Sequence, residues 1–242
     1  MKSSNVKLPN TSGKKIISAP IPTLKRLPKY LSYLKRLKKI NAEYVSATEI
    51  AKEMNFSSIQ VRKDIQYTGI IGEPKKGFEL NELILKINSF LNWDNMEDAF
   101  LVGVGGLGKA ILGYDGFKNY GLDIIAAFDL SERKNTINEI EVYPVSKLSD
   151  LIKRMHINIG VITVPASAAQ EIADCMVEAG IIAIWNFAPV ELQVPSDIIL
   201  ENVQLSQSLA VLTHKLSQKL IKPKSKKTKN KNSKNKKLKD KQ

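Results

Sequence analysis

The run Gly103-Val104-Gly105-Gly106-Leu107-Gly108 carries glycines at G-x-G-x-x-G spacing. That spacing suits the binding of a pyrophosphate by the backbone. Gly103 permits a tight turn, Gly105 lets the chain approach the phosphates, and Gly108 allows a helix to pack closely on a strand. Val104, Gly106 and Leu107 complete the loop, and the helix that follows offers unpaired N–H groups to an anion. Asp129 lies 21 positions beyond Gly108. A carboxylate there can accept hydrogen bonds from ribose hydroxyls and repels a 2′-phosphate, so NAD(H) is expected over NADP(H). Arg133, close by, works against that preference because it could hold the phosphate. Thr163-Val164-Pro165 and Asn186-Phe187-Ala188-Pro189 also end apolar runs, and strand C-termini are where doubly wound sheets bind ligands.

The context strengthens a motif that is weak alone. Ala99-Phe100-Leu101-Val102 is a continuous apolar run, expected for a buried parallel strand, and Lys109-Ala110-Ile111-Leu112 continues as helix. A second apolar run, Ile124-Ile125-Ala126-Ala127-Phe128, leads into Asp129. The alternation continues with a helix over 146–154, a strand over 157–164, a helix over 166–179, strands over 181–187 and 198–203, and a final helix over 206–221. The expectation is a Rossmann-type domain over 93–205. Leu209, Leu212, Leu216 and Leu220 make an apolar stripe on the final helix, suited to a partner or to the core.

The chemistry of turnover is missing. A dehydrogenase needs a proton donor or acceptor beside the nicotinamide. His156 precedes an expected strand, at the wrong edge of the sheet, and His214 is on the terminal helix. The single cysteine, Cys175, falls inside an expected helix beside Met176 and reads as a packing residue. It excludes an internal disulfide framework. No cluster has metal-ligand spacing, and no substrate domain is left once the nucleotide unit is counted. A sensor is favoured over an enzyme. A small NAD(P)-dependent oxidoreductase and a CoA- or nucleotide-binding protein are the alternatives.

The 242 residues carry 37 Lys+Arg against 24 Asp+Glu, a net charge of +13. That charge is unevenly spread. Residues 1–92 hold 17 basic and 7 acidic groups, residues 93–221 hold 9 and 16, and residues 222–242 hold 11 and 1. A basic front and tail suit nucleic acid through phosphate neutralisation, or act only to solubilise the chain. No apolar stretch is long enough to span a bilayer, and residues 1–25 lack the order of a signal peptide. A cytoplasmic protein is expected.

The front has the organisation of a DNA reader. Residues 1–22 are expected to be disordered. Leu27, Tyr30, Leu31, Leu34 and Leu37 then mark one face of a basic helix. Ser46 with Glu49 is a capping-box signature for a helix over 47–54. After the turn Asn55-Phe56-Ser57, a third helix starts at Ser57 or Ser58 and runs to Tyr67, with Ile59, Val61 and Ile65 expected inward and Ser58, Gln60, Arg62 and Lys63 elsewhere. A turn follows with Lys75 and Lys76 near its tip. Three short helices and a basic hairpin over 23–92 form the pattern of a winged helix-turn-helix. Its third helix would bring Ser57, Ser58, Gln60, Arg62 and Lys63 to the major groove, and Lys75 and Lys76 to phosphate. A small three-helix dimerisation domain with a solvated basic face is the other reading. Residues 222–242, nearly all Lys, Asn and Ser, are expected to be disordered.

Several segments together resemble the Rex family of redox-sensing transcriptional repressors. They are Lys25-Arg26-Leu27-Pro28 with Tyr30, Val45-Ser46, Val61-Arg62-Lys63-Asp64 with Tyr67 and Gly69, and Leu101-Val102-Gly103-Val104-Gly105 with Leu107-Gly108. Ala126-Ala127-Phe128-Asp129, Ile162-Thr163-Val164-Pro165-Ala166 with Ala169-Gln170-Glu171, and Asn186-Phe187-Ala188-Pro189-Val190 continue it, over roughly residues 20–221. The resemblance implies a homodimer that exchanges the helix over 206–221, binds double-stranded operator DNA, and releases it when NADH is high. It adds Ser46 and Tyr67 to the DNA-binding residues and Tyr114 to the nucleotide-linked ones. It also implies an interdomain Tyr–Asp–Arg contact. The tyrosine matches Tyr114, but the arginine position is Ser32 and the aspartate position is Gln204. The wing, commonly Gly-Tyr-Gly-Tyr-like, is Gly77-Phe78-Glu79-Leu80. A relative that binds DNA or NAD without NADH-linked switching is the corresponding alternative.

Overall fold

A computed structural model describes residues 19–130 and 135–221. The chain divides into two compact units. The first comprises the described residues up to Asp98 together with Tyr114–Asp123, and the second Ala99–Gly113 and the residues from Ile124 onward.

The first unit opens with α1 (Ile21–Lys39). It begins earlier than the expected disordered segment allows. Pro22 falls in the first turn, where a fixed φ is already helical and no N–H is needed. Residues 1–18 lie outside the described residues, as does the tail over 222–242. β1 (Tyr44–Val45), α2 (Ala47–Met54), α3 (Ser58–Gln66), β2 (Phe78–Glu79) and α4 (Leu80–Phe90) follow. Ser46 opens α2 with the expected reciprocal capping box, and Asn55, at φ 55°, closes it. β1 and β2 pair antiparallel, and Gly77 lies against them at φ +99°, where a Cβ would meet the Val45 carbonyl oxygen at 2.4 Å. Leu27, Leu31 and Leu34 from α1, Ile50 from α2, Val61 and Ile65 from α3, and Leu80, Leu83 and Ile87 from α4 fill one core. The added segment carries a 3-10 turn over Asp115–Tyr120. The Tyr120 ring packs 4.7 Å from that of Trp93. Gly121 lies so close to the Asn95 carbonyl that a Cβ would meet it at 2.4 Å.

The second unit is built on a seven-stranded sheet. Its elements are β3 (Glu97–Val102), α5 (Gly106–Leu112), β4 (Leu122–Asp129), β5 (Asn135–Ile137), β6 (Ile140–Pro144), α6 (Leu148–Met155), β7 (Ile159–Ile162), α7 (Ala166–Ala179), β8 (Ala183–Asn186), β9 (Ile199–Asn202) and α8 (Leu205–Ile221). The strand order is β5-β6-β4-β3-β7-β8-β9. β5 runs antiparallel to β6, whereas β4–β6, β3–β7, β7–β8 and β8–β9 are parallel. From β3 the chain first moves to β4, and later returns to β7 on the other side. The β3–β7 crevice is therefore the topological switch point, where ligands bind in such sheets. Phe100, Val102 and Phe128 on the strands and Ala169, Ala173 and Met176 on α7 form its core. The side chains of Leu209, Leu212, Leu216 and Leu220 on α8 are 53–75% exposed, so within this chain the leucine stripe is not a core face.

Candidate functional site

β3 and β7 end in register, Val102 beside Ile162, which brings Gly103 against Thr163. Gly103 has φ +103°, and a Cβ on it would meet the Thr163 carbonyl carbon and Val164 nitrogen at 2.8 Å. The Thr163 hydroxyl donates to the Gly103 carbonyl at 2.6 Å and pins the turn. A Cβ on Gly108 would lie 1.9 Å from the Gly103 oxygen, so the helix can start here only on glycine. Gly105 and Gly106 have nothing within 4 Å of that position. Their bare backbone faces space rather than protein.

A cavity of about 430 Å³ opens at this crevice, lined by Val102, Gly103, Gly105, Leu107, Asp129, Leu130, Val145, Thr163, Val164, Pro165, Ala168, Ile172, Phe187 and Pro189. Its size is that of a small-molecule site. Asp129 is held at the rim by two backbone donors. The Val104 N–H reaches one carboxylate oxygen at 2.6 Å and the Leu130 N–H the other at 2.7 Å. Each oxygen keeps a lone pair for a ribose hydroxyl. Glycines where the fold excludes a side chain, open backbone at Gly105, an oriented carboxylate and apolar walls fit a dinucleotide. The first-turn N–H groups of α5 lack intrahelical acceptors and suit its phosphates.

Of the residues expected here, Gly103, Gly105, Leu107, Asp129, Thr163, Val164, Pro165 and Phe187 line the cavity. Val104 and Gly108 act beneath it, one binding Asp129 and the other seating α5, and Gly106 opens α5. Asn186 does not belong to the lining. It is fully buried, its amide donates to the Val190 carbonyl and to Asn202, both at 2.8 Å, and its oxygen accepts the Ala188 N–H. It shapes the Phe187–Pro189 loop from inside. Tyr114 is not in the lining either; it belongs to the first unit, with its ring 4.8 Å from that of Phe117. Arg133 lies outside the described residues. Pro189, in a segment already expected at this edge, also lines it, whereas Leu130, Val145, Ala168 and Ile172 form walls that spacing alone does not reveal, because they come together only where the ends of β4 and β6 meet α7.

Asp129 is the one titratable residue among the described lining residues. His156 caps α6 at φ 54° and His214 is on exposed α8. Burial pushes the Cys175 thiol up, away from the reactive thiolate. Among the described residues no group of His, Cys, Asp and Glu could hold a metal.

In the first unit, α3 is anchored by a buried carboxylate. Asp64 is fully buried. Arg26 donates to it from Nε at 2.6 Å and from Nη2 at 2.8 Å, Tyr30 from its hydroxyl at 2.7 Å, Thr23 at 2.9 Å and Gln60 at 3.1 Å. Burial alone would raise the Asp64 pKa. The hydrogen bonds from Arg26, Tyr30, Thr23 and Gln60 outweigh it and hold the carboxyl below its ordinary value. Burial and the same carboxylate push the Tyr30 phenol upward, which keeps it a donor. The partners are 34 to 41 positions from Asp64 along α1, beyond any local pattern. The available signal was an aspartate three positions after Val61 and just before Ile65, on the inner face of its own helix.

This network corrects the expected helix face. Gln60 is turned to Asp64, and Ile59, expected in the core, is 64% exposed. Arg62 and Lys63 are exposed, Ser58 and Tyr67 are half-buried, and Ser57 caps the helix by accepting the Gln60 N–H at 3.1 Å. Ser46 is committed to the α2 cap. Lys75 is exposed at the hairpin tip with φ 66°. Lys76 is less available than expected; it pairs with Glu73 at 3.0 Å and lies 5.0 Å from the Tyr44 ring centroid. Glu79, read as part of the wing, caps α4 through the Asn81 and Glu82 N–H groups.

Comparison with known proteins agrees with this layout. Residues 18–65 match the family described as putative DNA-binding protein N-terminus, and residues 94–190 the family described as CoA binding domain. The redox-sensing transcriptional repressor Rex of Treponema denticola is 44% identical over 193 residues, 79% of this chain and 92% of that protein. Rex of Bacteroides fragilis is 42% identical over 200 residues, 82% of this chain and 91% of that protein. The crystal structure of RSP, a Rex-family repressor, in complex with NAD+ and operator DNA superposes with a TM-score of 0.79 at 35% identity, covering 84% of this chain and 94% of that one. RSP with NADH gives 0.76 at the same identity. The fold and site define a two-part α/β protein, a winged helix-turn-helix followed by a dinucleotide-type domain. The chain belongs to the Rex family of redox-sensing transcriptional repressors.

Proposed function

We propose that this chain is an NAD(H)-responsive transcriptional repressor, binding operator DNA as a homodimer and releasing it when NADH is abundant. The observation that carries the reading is the pairing in one chain of an exposed basic helix, α3, with a glycine-lined cleft whose rim carboxylate keeps lone pairs for ribose. Gly103, Gly105, Leu107 and Asp129 would hold the dinucleotide, with Thr163, Val164, Pro165 and Phe187 along its sides. The dinucleotide supplies a nicotinamide ring that is cationic when oxidised and neutral when reduced. Release follows only if NADH binds the non-DNA-binding form of the dimer better than the DNA-binding one. The exposed leucines of α8 suit a second copy, and a two-fold dimer would place two α3 helices on successive half-sites. A regulatory role also agrees with a cleft whose described lining offers no acid–base group except Asp129. No helix among the described residues is long and apolar enough to cross a membrane.

The test is a titration at fixed salt against a palindromic operator and a scrambled control, without nucleotide, with NAD+ and with NADH. Specific binding released by NADH alone supports the reading. Arg62→Ala with Lys63→Ala should abolish operator binding and leave NADH binding intact. Unchanged DNA affinity in that variant removes α3 as the recognition helix.

One observation favours a second reading, a repressor whose nucleotide response is weakened. Uncharged residues stand where the family resemblance implies charges. Ser32 is exposed, and Gln204 accepts a hydrogen bond from its neighbour Gln207 at 2.6 Å. Hydrogen bonds without charge assistance are weaker. Specific DNA binding indifferent to both nucleotides would decide for this reading.

A further inference from the structure

The exposed stripe of α3 contains a residue that charge does not explain. Ile59, Arg62, Lys63 and Gln66 follow i, i+3, i+4, i+7 spacing and are all exposed, so they form one face of the helix. Arg62 and Lys63 have no carboxylate partner among the described residues. Ile59 heads this face in the first turn and is 64% exposed. The polar residue beside it, Gln60, is turned away to Asp64 at 3.1 Å. The N-terminal turn of a recognition helix is the part that reaches base edges, and here its outward side chain is a branched hydrocarbon. It cannot hydrogen-bond to a base. In the major groove the apolar feature is the thymine C5-methyl group, which distinguishes an A·T pair from the other pairs.

We propose that Ile59 is a specificity-determining contact that packs on the 5-methyl group of one thymine in each operator half-site. The proposal rests on the reading of α3 as recognition helix. The basic flanks of the stripe match the charge of DNA, and the matched DNA-binding family segment, residues 18–65, includes Ile59. Asp64 contributes indirectly. By holding Gln60 inward it leaves Ile59 as the outward side chain of the first turn.

The experiment removes only the methyl group. An operator is selected from random duplexes by the full-length protein, and each thymine is replaced in turn by deoxyuridine. At one thymine per half-site the wild type should lose about fourfold in affinity, the worth of one buried methyl group of about 0.8 kcal/mol. Ile59→Ala should bind the thymine and uracil forms equally, with its helical signal and NADH affinity unchanged. Indifference of the wild type to every replacement overturns the proposal. So does an Ile59→Ala protein that keeps the preference, since the methyl group then acts through DNA shape. If the wild type does not prefer its selected operator to a scrambled duplex, the repressor reading itself fails and the contact falls with it. That result is distinct from operator binding that ignores the methyl group.

Discussion

Asp64 and Asp129 each stand at the working end of their own unit, and they are held in opposite ways. Asp64 is enclosed by side chains from α1 and by Gln60, with donors for both oxygens and no exposure to water. Asp129 is half-buried, held by two backbone N–H groups beside an open cavity. A carboxylate satisfied on every side can only position its neighbours. One oriented by the backbone, with lone pairs left over, can bind. The two also differ in what oriented them. Asp129 needs only its own strand end and the glycine turn. Asp64 needs a second helix supplied from more than thirty residues away.

Replacing each carboxylate by its amide should separate these roles. Asp64→Asn leaves Arg26 largely buried against a neutral partner, and breaking a buried pair costs about 3–5 kcal/mol. The first unit should melt lower by that order, while NADH binding persists wherever the second unit stays folded. The acid limb gives a second readout. Because the folded Asp64 pKa is depressed, its stabilisation is complete above the unfolded value near 3.9 and is lost as pH falls through the lower folded value. The stability gap between wild type and Asp64→Asn should therefore close below about pH 4. A gap independent of pH there would show that the network does not hold α3 through charge.

Asp129→Asn should produce the smaller and opposite pattern. Melting changes little, but the loss of charged acceptors costs about 1.5–3 kcal/mol in NADH binding, tenfold or more. Discrimination against NADPH should shrink with it. Isothermal titration with both nucleotides checks this, and unchanged selectivity would remove Asp129 from the ribose site.

The smallest effect concerns the hairpin. Glu73→Gln releases Lys76 from its ion pair. DNA affinity should rise slightly and the log–log salt slope should steepen by at most about 0.9 per wing, the contribution of one added phosphate contact. An unchanged slope would mean that Lys76 does not reach DNA even when free.

Much of the glycine-rich cleft was legible from spacing. The glycine run, the apolar strands around it and Asp129 all follow from local rules, and α2 and α7 keep the bounds expected from their capping and breaking residues. The two-residue strands β1 and β2 are too short to show a period. β5 and β6 are interrupted by polar and turn residues, and Val145, the cleft-wall residue just after β6, is not shown by spacing. Asn186 was correctly placed at a strand end but not on the correct side of it, because the Val190 loop and Asn202 consume its amide.

The sequence by itself determined where helices start and stop, where the glycine turn after β3 must lie, and where charge accumulates. Those are contacts between residues a few positions apart, and the chain encodes them directly. Tertiary structure alone decided that Asp64 is buried against Arg26 and that Gln60 turns inward while Ile59 turns out. It also left the α8 leucines without a core. These outcomes depend on which helix packs against which. A buried carboxylate must take its donors from whatever element lies beside it, and that element is chosen by the packing of the whole core.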